Sequence, residues 1–597
     1  MNAKLPYIHK GDIGRINFNP RAQAQNRLLM YIFFGAVVIF FVIMGMRLFQ
    51  LTIVKGNYYR SLSDDNRIRE VTIEARRGTI VDRKGYVIAE SNEADIQEGI
   101  ERVRSQRHYK DPEIFAHIIG YRQIADEKDS EQDNCLNKIK LGDKVGKKGI
   151  EKLFDCELRG KNGKKLVEVN AQGGMERTLH VVEPEPGEEI PLSIDGDLQI
   201  RAHQLLEGKK GVIVAADPRT GEVLTLASTP SYNPQVFEDN NAEAISQLFQ
   251  DEERPLFNRA TEGVYPPGSV FKMVVAAAAL EEGTIDEDDT IYDSGKLELG
   301  DRSFGTWNYL EHGQTEGDVD VIESLRRSND IFYYKVAEQM GPEKIKKWAE
   351  IFKYNQLSGI GISEVEGTIP SPFWKEETIG EQWYTGDTYN FSIGQGYVLA
   401  SPLQVTLATI PFANGGKYCK PMLVKTENGL GIEPECTEVP MSEETLGIVR
   451  EGMHQACLPG GTGWPLFNFT VRDAGEPMPT PKIASDAAGL GSPVATPSGA
   501  IAPTAMPIKE LWDESYLVSS SAAYLRGQPT KQIELGCKSG TAESGQGNDP
   551  HAWFTVFAPY DDPEIIITVL LERAGQGSDM AAPAAREMLR MYFERME

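Results

Sequence analysis

Cysteine and histidine are scarce in this chain, with 6 and 8 among 597 residues. No cysteine pair has the spacing of a zinc site, and the histidines, His312 among them, are scattered, so a metal centre is not expected. Positive charge is also short. Lys and Arg total 62 against 88 Asp and Glu, a net of −26, which argues against nucleic acid as a general partner. With 40% hydrophobic residues the chain is not disordered as a whole, and at 597 residues it outgrows one core and calls for two or three domains.

Charge is missing altogether from Leu28 to Met46, which is rich in Phe, Ile and Val. With the flank Arg47–Leu51 this reaches the ~20 residues that cross a bilayer. The stretch lacks the polar stripe of a buried core helix, and no small-residue cleavage site follows it. Residues 28–51 therefore read as a single-pass, uncleaved signal anchor. Residues 1–27 carry Lys4, Lys10, Arg15, Arg21 and Arg27 against Asp12, so this tail is expected in the cytoplasm and the rest outside. All six cysteines lie on the external side, where disulfides are permitted. Cys419–Cys436 is the expected pair, because an Asn428-Gly429 turn would fold its flanks into a hairpin. The other four could equally be small buried apolar residues.

The chemistry centres on Val264-Tyr265-Pro266-Pro267-Gly268-Ser269-Val270-Phe271-Lys272-Met273, followed by an alanine-rich run to Leu280. Prolines and a glycine lead into a helix, expected from Ser269 to about Glu282. Residues three apart share a helix face, so Lys272 can take the hydroxyl proton of a Ser269 nucleophile if it is kept neutral. Downstream come Ser328-Asn329-Asp330 and, on an apolar-flanked strand, Lys538-Ser539-Gly540-Thr541. Lys538 and Gly540 share a strand face; the glycine would let an extended peptide approach, and the Lys538 cation would attract its terminal carboxylate, with Ser539 or Thr541 hydrogen-bonding it. The backbone N–H groups of Ser269 and Thr541 would form an oxyanion hole. Each triplet alone could be a turn or a solvated strand. Together, and in this order, they are counterparts of the Ser-x-x-Lys, Ser-Asp-Asn and Lys-Thr-Gly set, the second present as Ser-Asn-Asp and the third as Lys-Ser-Gly.

On these motifs the chain resembles a class B penicillin-binding protein. Arg77-Gly78-Thr79-Ile80-Val81-Asp82-Arg83 and Gly149-Ile150-Glu151 are similar to signatures of that family's pedestal. Trp383-Tyr384-Thr385-Gly386-Asp387 with Ile393-Gly394-Gln395-Gly396, and Asp330 in place of the commoner Asn, resemble its elongation branch, the penicillin-binding protein 2 group. The resemblance implies an α+β protein: a transmembrane helix, an elongated pedestal over 52–189, and over 190–597 a serine-β-lactamase-like transpeptidase domain whose antiparallel sheet has helices on both sides. A flexible insertion is expected at about 471–509.

The implied activity is D-Ala-D-Ala transpeptidation of peptidoglycan stem peptides during cell-wall elongation, through an acyl-enzyme on Ser269, with β-lactams acylating the same serine. Lys272, Ser328, Asp330 and Lys538 are the implied catalytic partners. Ser539, Gly540, Thr541, Trp383 and Asp387 are the implied substrate contacts. No metal or organic cofactor is needed. A polytopic glycan polymerase of the rod system and elongation scaffold proteins are the implied partners, and the cytoplasmic (inner) membrane the location. A septal transpeptidase, and a non-catalytic scaffold or β-lactam sensor, are the competing readings. Asp330 bears on mechanism, since a carboxylate beside Lys272 favours the protonated amine.

Overall fold

The computed structural model describes residues 20–60, 68–93, 102–103, 105–140, 142–170, 174–425, 433–472, 530–545 and 547–594. The Asn428-Gly429 turn and most of the expected 471–509 insertion lie outside them. Backbone contacts divide the chain into two units.

The smaller unit takes in residues up to Ile73, Asp95–Val103 and Asn162–Glu183. It opens on the helix Pro20–Phe49, which carries most of an apolar span, Arg27–Val54, long enough to cross a membrane and with none of its most apolar window buried. Its sheet pairs Ile68–Ile73 with Gly163–Val169, flanked by Arg102–Val103 and by the fully exposed edge strand Met175–Val182.

The larger unit holds the remainder. Its N-terminal part contains a hairpin around the turn-forming Asp82-Arg83-Lys84-Gly85: Ile80–Val81 pairs antiparallel with Val87–Glu93, and the Asp82 carboxylate accepts from the Lys84 and Tyr86 amides. The two pedestal-like signatures meet here. Glu151 accepts from Arg77 Nε at 2.5 Å and from Arg107 Nε at 2.7 Å, and all three side chains are buried. Burial alone would raise the Glu151 carboxyl; the guanidinium groups of Arg107, Arg77 and Arg122 overcome this and hold it at about 2. Gly78 follows Arg77 because a Cβ there would stand 1.8 Å from the Glu188 carbonyl. The region to Asn137, polar and helix-prone in composition, also contains strands Ser105–Tyr109 and Arg122–Ile124, each set by pairing with distant segments.

The main sheet is antiparallel and five-stranded. Its strands are β1 (Gly211–Ala216), β2 (Val223–Thr229), β3 (Gly536–Ala542), β4 (His551–Ala558) and β5 (Ile565–Leu571), in the order β2-β1-β5-β4-β3. β1 and β2 form a hairpin around Asp217-Pro218-Arg219-Thr220-Gly221, where proline and glycine favour a tight turn. Both sheet faces are covered, so the strands read as continuous apolar runs. Val212, Val214, Ile566 and Leu570 pack on one side and Ile213, Ala215, Ile567 and Val569 on the other, as strand alternation requires.

Seven helices matter for the site: α1 (Lys272–Glu281), α2 (Val321–Arg327), α3 (Asp330–Met340), α4 (Thr385–Ser392), α5 (Pro402–Ala413), α6 (Glu443–Ala456) and α7 (Ala582–Phe593). Leu403 and Leu407 of α5 join the first apolar cluster and Ala585, Met588 and Leu589 of α7 the second, so helices cover both faces. In α1 every residue from Lys272 to Ala279 is buried. α6 approaches α2 closely because Gly452 has no side chain; a Cβ would stand 2.7 Å from Leu325 Cδ1.

All six cysteines are paired. Cys419–Cys436 closes the short hairpin Lys417–Cys419 with Cys436–Glu438, as expected. Cys135–Cys156 and Cys457–Cys537 were left open by the sequence, because neither pair is joined by a short recognisable turn. The last bond fastens the end of α6 to β3, one residue before Lys538.

Candidate active site

The helix expected from Ser269 divides in two. Gly268–Phe271 forms a tighter 3-10 turn, and the α-helix begins only at Lys272. Gly268 starts the turn at φ 59°, where a Cβ would stand 2.8 Å from the Thr541 carbonyl oxygen. The turn thus lies directly against β3. Ser269 is half-buried while Gly268, Val270 and Phe271 are buried.

Ser328 caps α2 in the left-handed conformation, at φ 57° and ψ 39°. That is an uncommon position for a residue with a Cβ, and its neighbours over-determine it. The Asn329 side chain caps α3 by accepting from the Phe332 amide, and its Nδ2 donates to Asp293 and Glu316. Asn329 therefore faces away from Lys272, while Ser328 and Asp330 face it. Lys272 Nζ donates to the Ser328 carbonyl at 2.8 Å, to Asp330 Oδ1 at 2.6 Å and to Ser328 Oγ at 3.4 Å. From the other side, Lys538 Nζ donates to Ser328 Oγ at 2.8 Å and to the Ser539 carbonyl at 2.9 Å. One hydroxyl bridges two lysines from separate motifs, both with 0% exposure.

Two cations this close and this dry cannot both be comfortably charged. Burial pushes the Lys272 amine down against the pull of Asp330, with Glu316 adding to that pull. Burial and the neighbouring Lys272 push Lys538 well below the ordinary lysine range. Both shifts favour the neutral amine, which is the form that can take a proton from a serine hydroxyl.

Four of the implied site residues are engaged within the chain. Lys538 is buried and hydrogen-bonded to Ser328. Gly540 has its open side filled by this chain, not by a peptide: a Cβ would stand 3.0 Å from Val270 Cγ1 and 3.2 Å from the Pro267 carbonyl oxygen. Trp383 and Asp387 serve a helix end. Trp383 Nε1 donates to Thr388 Oγ1, and Asp387 accepts from the Tyr384 amide and from Lys375 Nζ, each at 2.8 Å. Asp387, three residues after the N-cap Tyr384, closes a capping box on the Tyr384 amide, whereas the Trp383 indole is held by a side-chain hydroxyl within the same helix.

The opposite face of β3 brings in a residue that sequence reasoning missed. Ser539 Oγ donates to Thr462 Oγ1 at 2.8 Å, and the Gly577 amide donates to Thr541 Oγ1 at 3.3 Å. Thr462 sits in Gly460-Gly461-Thr462-Gly463, a glycine cluster whose spacing signals a turn and nothing about its neighbours. Thr541 is the exposed residue of β3 and Ser539 a buried one.

Comparison with known proteins bears on this geometry. Residues 211–467 and 516–590 match the penicillin binding protein transpeptidase domain, and residues 93–192 match the penicillin-binding protein dimerisation domain. The chain is 34% identical to the peptidoglycan D,D-transpeptidase MrdA of Haemophilus influenzae, over 82% of this chain and 70% of that protein. This chain belongs to the penicillin-binding protein 2 (MrdA) family of peptidoglycan D,D-transpeptidases. MrdA of Escherichia coli K12 is 29% identical, over 92% of this chain and 90% of that protein. The solved Pseudomonas aeruginosa PBP2, in complex with WCK 5153, superposes with a TM-score of 0.67 at 29% identity, covering 88% of this chain and 96% of that one. The transpeptidase match pauses from 467 to 516, across the expected insertion.

Proposed function

We propose that this penicillin-binding protein 2 cross-links peptidoglycan with Ser269 as its nucleophile. The observation that carries the assignment is the single Ser328 hydroxyl held between the Lys272 and Lys538 amines, with Lys272 one turn after Ser269 along the chain. Lys272 takes the Ser269 proton as Oγ attacks the carbonyl between the two terminal D-alanines of a stem peptide. Ser328 relays that proton to the departing D-alanine nitrogen. An amine of a neighbouring stem peptide then attacks the acyl-enzyme, its proton returns by the same route, and Ser269 is released. Lys538 orients Ser328, and the exposed Thr541 hydroxyl is left to donate to the substrate carboxylate, with Ser539 held beside it by Thr462. Backbone N–H groups of Ser269 and Thr541 stabilise the oxyanion.

The anchor, the 52–189 pedestal and the 190–597 transpeptidase region divide the work of tethering, spacing and chemistry. The N-terminus is cytoplasmic and the catalytic region extracytoplasmic, a reading supported by the basic tail and by three disulfides lying beyond the apolar helix. Helicobacter pylori PBP2 has been solved in complex with MreC, and another relative within a peptidoglycan synthase complex. An elongation scaffold and a polytopic glycan polymerase are accordingly the partners proposed for this chain. The test is mass spectrometry of the penicillin adduct together with cross-linking of purified substrate. A tryptic peptide carrying Ser269 gains the drug, and Ser269→Ala loses both adduct and cross-links; an adduct on any other serine overturns the assignment.

A further inference from the structure

Gln395 makes two hydrogen bonds that the mechanism above does not use. Its Nε2 donates to the Thr541 carbonyl at 3.1 Å, and its Oε1 accepts from the Glu543 amide at 3.3 Å. These partners settle the amide's orientation, since a carbonyl can only accept and a peptide N–H only donate. The backbone beneath is held as firmly. The Gln395 amide donates to the Asn390 carbonyl at the end of α4, and the Gly394 carbonyl accepts from the Gly268 amide, next to Ser269, at 2.9 Å. Gly394 sits at φ 69°, where a Cβ would stand 2.4 Å from the Gly268 carbonyl oxygen, so no other residue allows this approach.

A residue in an antiparallel strand points its N–H and its C=O to the same edge. β3 is the edge strand of the sheet, with β4 on its other side. A Thr541 carbonyl that bonds to Gln395 therefore means a Thr541 N–H that faces the same open edge, toward the Gly268–Phe271 turn. We propose that Gln395 is a positioning residue for the oxyanion hole: by holding the Thr541 carbonyl and the Glu543 amide it sets the direction of the Thr541 N–H relative to Ser269. The inference rests on the assignment of Ser269 and Thr541 made above. It also gives the Ile393–Tyr397 stretch a task that requires no contact with the peptide.

The test uses the full-length chain in detergent and a fluorescent penicillin followed by stopped flow, which separates non-covalent binding from the acylation step. Gln395→Ala is expected to slow acylation by about 10- to about 100-fold, less than the ~10²- to ~10³-fold expected when an oxyanion donor is removed outright. The dissociation constant of the non-covalent complex and the titrated active fraction stay as in the parent. Gln395→Glu keeps the bond from the Glu543 amide but turns a carboxylate on the Thr541 carbonyl, and is slowed at least as much. Should Gln395→Ala not fold, Gln395→Met keeps the volume, removes both hydrogen bonds and carries the same expectation. An unchanged acylation rate, or a loss confined to active fraction or binding, overturns the role of Gln395. An adduct on a serine other than Ser269 in the parent protein instead overturns the assignment on which it rests.

Discussion

Replacing Asp330 with asparagine asks which protonation state of Lys272 does the chemistry. Asp330 Oδ1 lies 2.6 Å from Lys272 Nζ, with the lysine side chain fully buried and the carboxylate 16% exposed. An opposite charge at this range moves a pKa by about 1 to about 3 units, or about 1.4 to about 4 kcal/mol of preference for the charged amine. Asparagine keeps an oxygen at the same place and removes the charge. The sign follows: Asp330 raises the Lys272 pKa, so Asp330→Asn lowers it, and the neutral amine persists to lower pH. The acid limb of the pH profile of penicillin acylation should move down by about 1 to about 3 pH units. Because the two lysines titrate together, the limb belongs to the pair, and Lys538 moves in the same direction, since Asp330 raises it too. An acid limb that stays put or moves up would refute Lys272 as the base. A loss of rate equal at every pH would point to Asp330 itself.

Three further outcomes are expected. Glu151→Gln leaves the buried guanidinium of Arg107 without its carboxylate and should lower stability by about 3 to about 5 kcal/mol in denaturant titration, whereas a change below ~1 kcal/mol would show that these charges are relieved by water. Gly540→Ala pushes a methyl against Val270, Pro267 and Trp553 and should cost about 1 to about 3 kcal/mol while displacing the Ser269 turn; acylation at the parental rate would refute the tight seating of turn on strand. Burial holds His117 at about 3 against an ordinary 6.5, so the unfolded chain binds the extra proton between those values. Stability should fall as pH drops through that window, and His117→Phe should flatten the slope of melting temperature against pH; an unaltered slope would locate the acid sensitivity elsewhere.

What could be read directly from the residues was whatever depends on near neighbours along the chain. The apolar run to Met46, the Asp217–Gly221 and Asp82–Gly85 turns and the Cys419–Cys436 hairpin are local, and each stands where pattern and turn chemistry place it. So is the order of the three motifs, which identified the family before any coordinate was known. What the local pattern left out has one physical origin. Gly540 and Asp387 carry local signals of openness and charge, but the space beside Gly540 is taken by Val270 and Pro267, and the carboxylate of Asp387 by Lys375 and the Tyr384 amide.

The residue sequence by itself determined which functional groups are available and on which short elements they ride. Only tertiary packing decided that Lys272 and Lys538, far apart along the chain, lose their water together on one hydroxyl, that Cys457 meets Cys537, and that Thr462 reaches a face of β3 and Gln395 its open edge. The reason is that a lysine is an ordinary cation until burial and a like charge move it. Both of those influences come from segments folded in from elsewhere, which no local pattern records.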